Sequence, residues 1–362
     1  MKANVGIGII GTGFARRIQI PAFLACDAAR VVSIASGHKE NAEAAAREFG
    51  ISHATSDWRE TVRHPDVDLV CITTPPVLHR EMTLAAIDAG KHVLCEKPMA
   101  MDAAEAEDMT SAAVGKPVFA LIDHELRYQP GRILARQMLR DGVIGRVRHA
   151  KCIFQAPHRG DPGLPWNWWS DADAGGGALG AIASHVIDTL FWFLDTDISR
   201  VSCQLHTHIK ERRDVGGELR AVTSDDESNM LLRFAAGDLT DDATGLVSIS
   251  MTEMPRYRNR TEFYGESGSL RVDERGELYV AKRGESDWTQ IEVDLGHAVD
   301  GVPDTGFSRA FMAFAPVLIS AIAAGETSVE GAATFEDGLR VQRVLDAARA
   351  SDNTGCAVKP IS

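Results

Sequence analysis

Lys97 stands near the end of the stretch His92-Val93-Leu94-Cys95-Glu96-Lys97-Pro98, where a short apolar run gives way to a carboxylate, an ammonium group and a proline. In a parallel α/β sheet, ligands collect in the crevice beyond the carboxyl ends of the strands. A lysine at that place can touch both a bound cofactor and a substrate hydroxyl. Taken alone, the stretch reads better as a strand stop with a solvated lysine. A second stretch changes the balance. Apolar residues 5–10 run into Gly11-Thr12-Gly13, and a helix is expected from about 14 to 24. Backbone amides at a helix start, together with its positive dipole end, make a site for a pyrophosphate. The spacing departs from G-x-G-x-x-G, because Gly13 is followed by Phe14, Ala15 and Arg16 and the third small residue arrives one position early. Gly6, Gly8 and Gly11 fit the spacing formally, but two of them fall inside the strand.

The end of the second expected strand, residues 30–35, bears on the choice of cofactor. An NAD site usually places an acid there, on the ribose hydroxyls. Here Ser36-Gly37-His38-Lys39 offers a hydroxyl and positive charge, and no acid comes before Glu40. That set suits a 2′-phosphate, so NADP(H) is favoured and NAD(H) is the other possibility.

The elements that must position these groups alternate. Strands are expected at 5–10, 30–35, 68–73, 92–97 and 116–122, with helices between them, which makes residues 1–123 a doubly wound parallel sheet of the Rossmann type. From residue 124 the pattern changes. Helices are expected at 131–141, 179–194, 307–324 and 335–350. Alternating runs at 147–155, 201–209, 228–234, 245–252, 260–264 and 269–272 imply a large, mostly antiparallel open sheet with helices on one face. Residues 124–362 therefore read as an α+β domain for substrate binding and oligomerisation, with 211–226 as an exposed loop.

A chain of 362 residues accommodates two such domains, and 44% hydrophobic with 25% charged residues is ordinary for a soluble globular protein. The formal charge of −13 argues against nucleic acid or an anionic membrane as the main partner. Six cysteines without C-x-x-C spacing suit reduced thiols in the cytoplasm. No export signal is read at the start, and no apolar run is judged long enough to span a membrane.

With those stretches in hand, the chain resembles the glucose-fructose oxidoreductase / inositol dehydrogenase (Gfo/Idh/MocA) family. The resemblance rests on GIIGTGFA at 8–15, TTPPVLH at 73–79, AGKHVLCEKPMA at 89–100 and GGGALGAIASHVID at 175–188, with ELRYQP at 125–130 and the tail at 335–351 in support. It implies NAD(P)-linked oxidation or reduction of sugars, polyols or their derivatives, and a homodimer or homotetramer packed through the C-terminal sheet. It also implies that Gly11, Thr12, Gly13, Phe14 and Ala15 meet the pyrophosphate, and that Thr73, Thr74, Pro75 and His79 line the adenosine-to-nicotinamide stretch. Glu96 and Lys97 then meet the nicotinamide end, the Lys97-Pro98 bond is cis, and Lys97 and His185 face the reacting carbon.

One departure matters: many relatives carry an aspartate four residues before the histidine, where this chain has Ala181. Proton transfer then falls to Lys97, with His185 as a hydrogen-bond donor and Asp188 nearby. Trp166, Trp168 and Trp169 either stack on sugar and nicotinamide rings or anchor their loop. Arg127 binds a substrate anion or forms a salt bridge. His206 and His208 read as a surface strand without a metal. Two other functions stay open: a glycoside hydrolase that oxidises transiently through bound NAD, and a non-catalytic dinucleotide sensor.

Overall fold

Val5–Ile10 carries only glycine, valine and isoleucine, and as strand β1 it is buried along its whole length, as a parallel strand covered on both faces requires. The structure, a computed structural model, describes residues 4–297, 299 and 301–360. It divides into two compact units, one holding the residues up to 128 with 296–339, the other 129–295 with the residues from 340 onward.

In the first unit β1 leads through a π-helical turn, Ala15–Gln19, into α1 (Ile20–Leu24). There follow β2 (Ala29–Ala35), α2 (Lys39–Phe49), β3 (His53–Thr55), α3 (Trp58–Arg63), β4 (Leu69–Ile72), α4 (His79–Asp88), β5 (His92–Cys95), α5 (Ala103–Ala113) and β6 (Ala120–Ile122). The strands pair in parallel in the order β6-β5-β4-β1-β2-β3. The order reverses at β1, so the carboxyl ends of β1, β4 and β5 stand side by side where such sheets take their ligands.

The second unit starts with α6 (Pro130–Arg140) and β7 (Val147–Gln155), and a π-helical turn, Leu179–Ala183, then opens α7 (Ser184–Leu194). The remaining strands are β8 (Ile198–His206), β9 (Glu211–Arg213), β10 (Leu219–Ala221), β11 (Glu227–Phe234), β12 (Thr240–Ser250), β13 (Arg258–Gly265), β14 (Gly268–Val272), β15 (Leu278–Lys282) and β16 (Thr289–Ile291). Eight of them form one sheet in the order β16-β15-β14-β13-β7-β12-β11-β8, in which only the β7–β12 pair is parallel. Every residue of α7 is buried.

Three elements complete the chain: α8 (Gly306–Ala324), β17 (Ala333–Thr334) and α9 (Phe335–Thr354). Both α8 and β17 belong to the first unit. Phe311 of α8 meets Phe23 edge-on at 5.5 Å between ring centres, Phe314 stacks on Tyr128 at 4.7 Å, and β17 pairs antiparallel with β6. The compact units thus differ from a single boundary at 123/124, because the apolar face of α8 joins the cluster of Ile7, Ile9 and Phe23.

Other expectations need correction too. The segment 211–226 is not simply an exposed loop: β9 and β10 form a hairpin within it, and Arg212 is only 4% exposed. β3, α3, β15 and β16 were not foreseen, since they are short and weakly patterned. The statement about apolar runs also fails. The helical stretch Ala172–Leu194 and α8 are both long and apolar enough, by length and composition, to cross a membrane. The first is mostly buried, and the apolar side of α8 packs into its own unit's core.

The glycines inside β1 now have a structural reason. A Cβ on Gly6 would lie 1.6 Å from the Asp66 carbonyl oxygen, and one on Gly8 would lie 2.7 Å from the Thr61 methyl. Both admit close packing and neither belongs to a phosphate turn. Gly6→Ala should therefore lower the stability of the first unit by about 3 kcal/mol, since a backbone carbonyl cannot step aside as a side chain can. Urea unfolding checks this, and an unchanged midpoint would show that the loop at Asp66 yields freely.

Candidate active site

Gly11 and Gly13 are glycines for different reasons. Gly11 has φ +104°, donates its N–H to the Ala35 carbonyl at 2.9 Å, and would put a Cβ 2.5 Å from the Thr73 carbonyl oxygen. Packing of the end of β1 on the end of β4 demands it. Thr73 reinforces that junction by donating its hydroxyl to the Ile10 carbonyl. Gly13 is exposed, and a Cβ there would meet nothing within 4 Å. Open space in front of a helix start, with the amides of Gly13, Phe14 and Ala15 close by, is a cradle for the pyrophosphate of a dinucleotide. The residues present fit that group.

At the end of β2, neighbour of β1, Ser36 is half-buried while Gly37, His38 and Lys39 are exposed. The Lys39 ammonium lies 3.7 Å from Glu43, and the His38 N–H donates to the Ser36 hydroxyl at 3.4 Å.

Two strands from the glycine turn, β5 delivers Glu96 and Lys97. The Lys97-Pro98 peptide bond is cis, Lys97 is half-buried, and Glu96 is 8% exposed. Beneath them lies a network that sequence reasoning missed. The side-chain amide of Gln19, fully buried, donates to Asp123 Oδ2 at 2.8 Å and to Glu96 Oε1 at 3.2 Å. Burial, with Glu125 and Glu96 adding to it, pushes the Asp123 carboxyl well above the carboxylate range. Burial also raises Glu96, against the opposing pull of the Lys97 ammonium. Two carboxyls so placed cannot both ionise, and the upward push is the stronger on Asp123. The available signal was a glutamine between two isoleucines, and an acid closing the sixth strand.

His79 does not line a ligand path. It is fully buried, with Nδ1 3.0 Å from the Pro98 carbonyl and Nε2 2.9 Å from the Thr74 carbonyl. The two carbonyls favour a charged ring, but burial outweighs them and lowers the pKa. The ring ties the loop after β4 to the loop holding Lys97. Arg127 is likewise withdrawn: 8% exposed, it pairs with Asp337 at 3.4 Å. Burial pushes Asp337 up, yet Arg127 and the Thr334 donors together hold it below the usual range. The salt-bridge reading of Arg127 replaces the substrate-binding one.

In the second unit, His185 and Asp188 lie one turn apart on α7 and are 4% and 2% exposed. Ala181 sits in the π-turn before them, 9% exposed. The glycines at 175–177 pack where side chains could not: a Cβ on Gly176 would lie 2.4 Å from the Trp169 carbonyl oxygen, and one on Gly177 would lie 2.3 Å from Asp225 Oδ1. Asp225 accepts the Leu179 N–H at 2.7 Å at the mouth of this helix. Burial raises it to about 6. Trp166 anchors its loop, donating Nε1–H to the Ala221 carbonyl at 2.9 Å under the Arg220 guanidinium. Trp169 lies under Arg159, and Trp168 stays 40% exposed. His208 bonds to Glu227 at 2.7 Å and its ring lies tilted against that of His206.

A sheet that brings an open glycine turn beside a half-buried lysine belongs to a dinucleotide-dependent oxidoreductase, and the chain is a member of the Gfo/Idh/MocA family. Residues 5–124 match its oxidoreductase domain, described as an NAD-binding Rossmann fold, and residues 133–271 match its C-terminal domain. Levoglucosan dehydrogenase of Pseudarthrobacter phenanthrenivorans is 34% identical over 77% of this chain and 76% of its own length. Human glucose-fructose oxidoreductase domain-containing protein 2 is 26% identical over 98% of this chain and 93% of its own. Among solved structures, levoglucosan dehydrogenase in complex with NADH and L-sorbose superposes with TM-score 0.88 at 30% identity, covering 99% of each chain. An oxidoreductase domain protein from Kribbella flavida gives 0.88 at 32% identity, covering 99% of this chain and 100% of its own.

Gly13→Val should abolish dinucleotide binding and leave the unfolding midpoint unchanged, because the added methyls enter only the pyrophosphate's space. Fluorescence titration with NADH reads the first and thermal unfolding the second; binding at parental strength would put the cofactor elsewhere. Asp225 supplies a prediction of pH dependence. Its folded pKa of about 6 exceeds the ordinary 3.8, so the folded state holds a proton that the unfolded chain releases. That stabilisation is present below the unfolded value and is lost as pH rises through the folded one. An asparagine side chain in its place would accept the same N–H without a charge. Asp225→Asn should match the parent near pH 4 and exceed its stability by about 3 kcal/mol near pH 8. A mutant no more stable at the higher pH contradicts this.

Proposed function

We propose that the chain oxidises or reduces a sugar, polyol or sugar derivative, and that Lys97 takes or returns the hydroxyl proton. The observation that carries this is the half-buried Lys97 at the end of β5, two strands from the open turn at Gly13 and above the buried Glu96. As hydride leaves a carbinol carbon its hydroxyl proton must leave as well, and a positioned amine receives it. The bound dinucleotide supplies or accepts the hydride. The protein's part is geometry: Gly11 sets the turn, His79 ties down the Lys97 loop, and Gln19 holds Glu96 beside Lys97. His185, without an acid at Ala181, serves as a hydrogen-bond donor to the substrate. Levoglucosan and L-sorbose, named with the relatives, are the first substrates to try.

The cofactor preference proposed is NADP(H), since Ser36, His38 and Lys39 stand where an acid would repel a phosphate. Lys39 gives up only an exposed contact with Glu43 to reach it. The free thiols of Cys71, Cys95 and Cys152, all buried, support a cytoplasmic site of action. Leu231 and Leu246, opposite one another on the outer face of the large sheet and 62% and 36% exposed, support a homodimer or homotetramer through it.

Accumulation of free reduced dinucleotide from levoglucosan or another sugar, followed by absorbance, is the direct test; a glycosidase using NAD transiently would release sugar without it. Lys97→Met should lose turnover by about a hundredfold or more and still bind the dinucleotide. Retained turnover would remove Lys97 from the chemistry. Lys39→Glu should weaken NADPH much more than NADH, and an equal loss of both would refute the phosphate assignment.

A further inference from the structure

One end of the second unit's sheet gathers basic side chains that the chemistry above does not use. Gln155 closes β7 beside Ser250 at the end of β12, and Ser250 lies opposite Glu227, where β11 begins. The segments 156–178 and 207–226 both leave from this end. His158 and Arg159 lie on the first and Arg212 on the second. Arg212, nearly buried, donates to the carbonyls of Asp161 at 2.6 Å and Leu164 at 3.4 Å and to that of Arg159. The acids facing it are otherwise occupied: Asp226 accepts the N–H groups of His208 and Ile209, and Asp161 accepts that of Gly163.

Arg159 has no such balance. Its guanidinium lies over the Trp169 ring at 3.6 Å, half-buried, and among the described residues no carboxylate pairs with it. Burial, then the charge of Arg212, lowers it to about 10. His158 is lowered as well, by loss of solvent and by both guanidiniums. In a chain of net charge −13, two arginines and a histidine gathered here without an acid for Arg159 are an electrostatic cost that a bound anion would offset. The place is tied to the helix of His185. The Trp169 carbonyl accepts the Ser224 hydroxyl at 2.8 Å and packs on Gly176, at the turn that opens the helix.

We propose that Arg159, held against the Trp169 ring and backed by Arg212, recognises an oxyanion on the substrate, so that the sugar processed carries a carboxylate or a phosphoryl group. This rests on the reading of the chain as a sugar oxidoreductase. A guanidinium presents parallel N–H donors that match two oxygens of either group.

Calorimetric titration of the NADH-saturated protein with D-glucuronate, D-glucose 6-phosphate and D-glucose tests it. One anion should bind about tenfold or more tighter than glucose, with the advantage shrinking in salt. Which anion wins distinguishes carboxylate from phosphoryl recognition. Arg159→Met should erase the advantage and leave glucose unchanged. Arg159→Lys keeps the charge without the fork, so it should retain part of the advantage even if the methionine variant folds poorly. No preference for either anion in the parent protein, or a preference undiminished in either variant, overturns the proposal. Two further titrations separate the ideas: absent binding of both NADPH and NADH contradicts the cofactor reading, while anion binding to the protein without dinucleotide still stands or falls on Arg159.

Discussion

Glu96 and Asp123 are buried together at the carboxyl ends of neighbouring strands, and one amide, that of Gln19, bonds to both. Burying two adjacent negative charges would cost far more than a fold of marginal stability can sustain. At least one proton must therefore stay, and burial with Glu125 and Glu96 nearby pushes Asp123 well above the carboxylate range. Glu96 sits next in sequence to Lys97. What reaches the surface is the Lys97 side chain above a buried carboxyl group, in a loop that the His79 ring also holds.

The same economy of space governs the glycines. Gly6, Gly8 and Gly11 let backbone and side chains of the sheet approach one another, and of these four turn and strand glycines it is Gly13 that faces open space. At the helix that bears His185, Gly176 and Gly177 do for Trp169 and Asp225 what Gly11 does for Thr73. Both helices begin with a π-turn, Ala15–Gln19 in one case and Leu179–Ala183 in the other. In the first, the turn carries Gln19 to the two carboxyls. The extra residue in such a turn re-aims side chains that a regular helix would point elsewhere.

Much of this was legible in the sequence. The alternation of strands and helices, the glycine turn, Lys97 after β5 and the cis Lys97-Pro98 bond all appear where the pattern and the family resemblance put them. β7 spans the same nine residues in both readings. Less legible were groups whose role comes from distant partners. His79 and Arg127 look available in the sequence, but each is consumed by a contact 19 or 210 residues away. Gln19 and Asp123, 104 residues apart, look ordinary until the sheet joins them. α8 reads as the end of a second domain, and only its phenylalanines, meeting Phe23 and Tyr128, assign it to the first unit. Periodicity reports which face of an element is apolar; it does not report which core receives it.

The central claim is that Lys97, and not His185, is the base. The pH–rate profile of dinucleotide-linked sugar oxidation tests it most directly, run on the parent enzyme, Lys97→Met and His185→Asn. The account predicts that the ionisation limiting the parent at low pH persists in His185→Asn, with part of the activity kept because an amide still donates. The same ionisation should vanish from the residual rate of Lys97→Met. A profile in which His185→Asn loses the titrating group while Lys97→Met retains it would contradict the account and make the histidine the base.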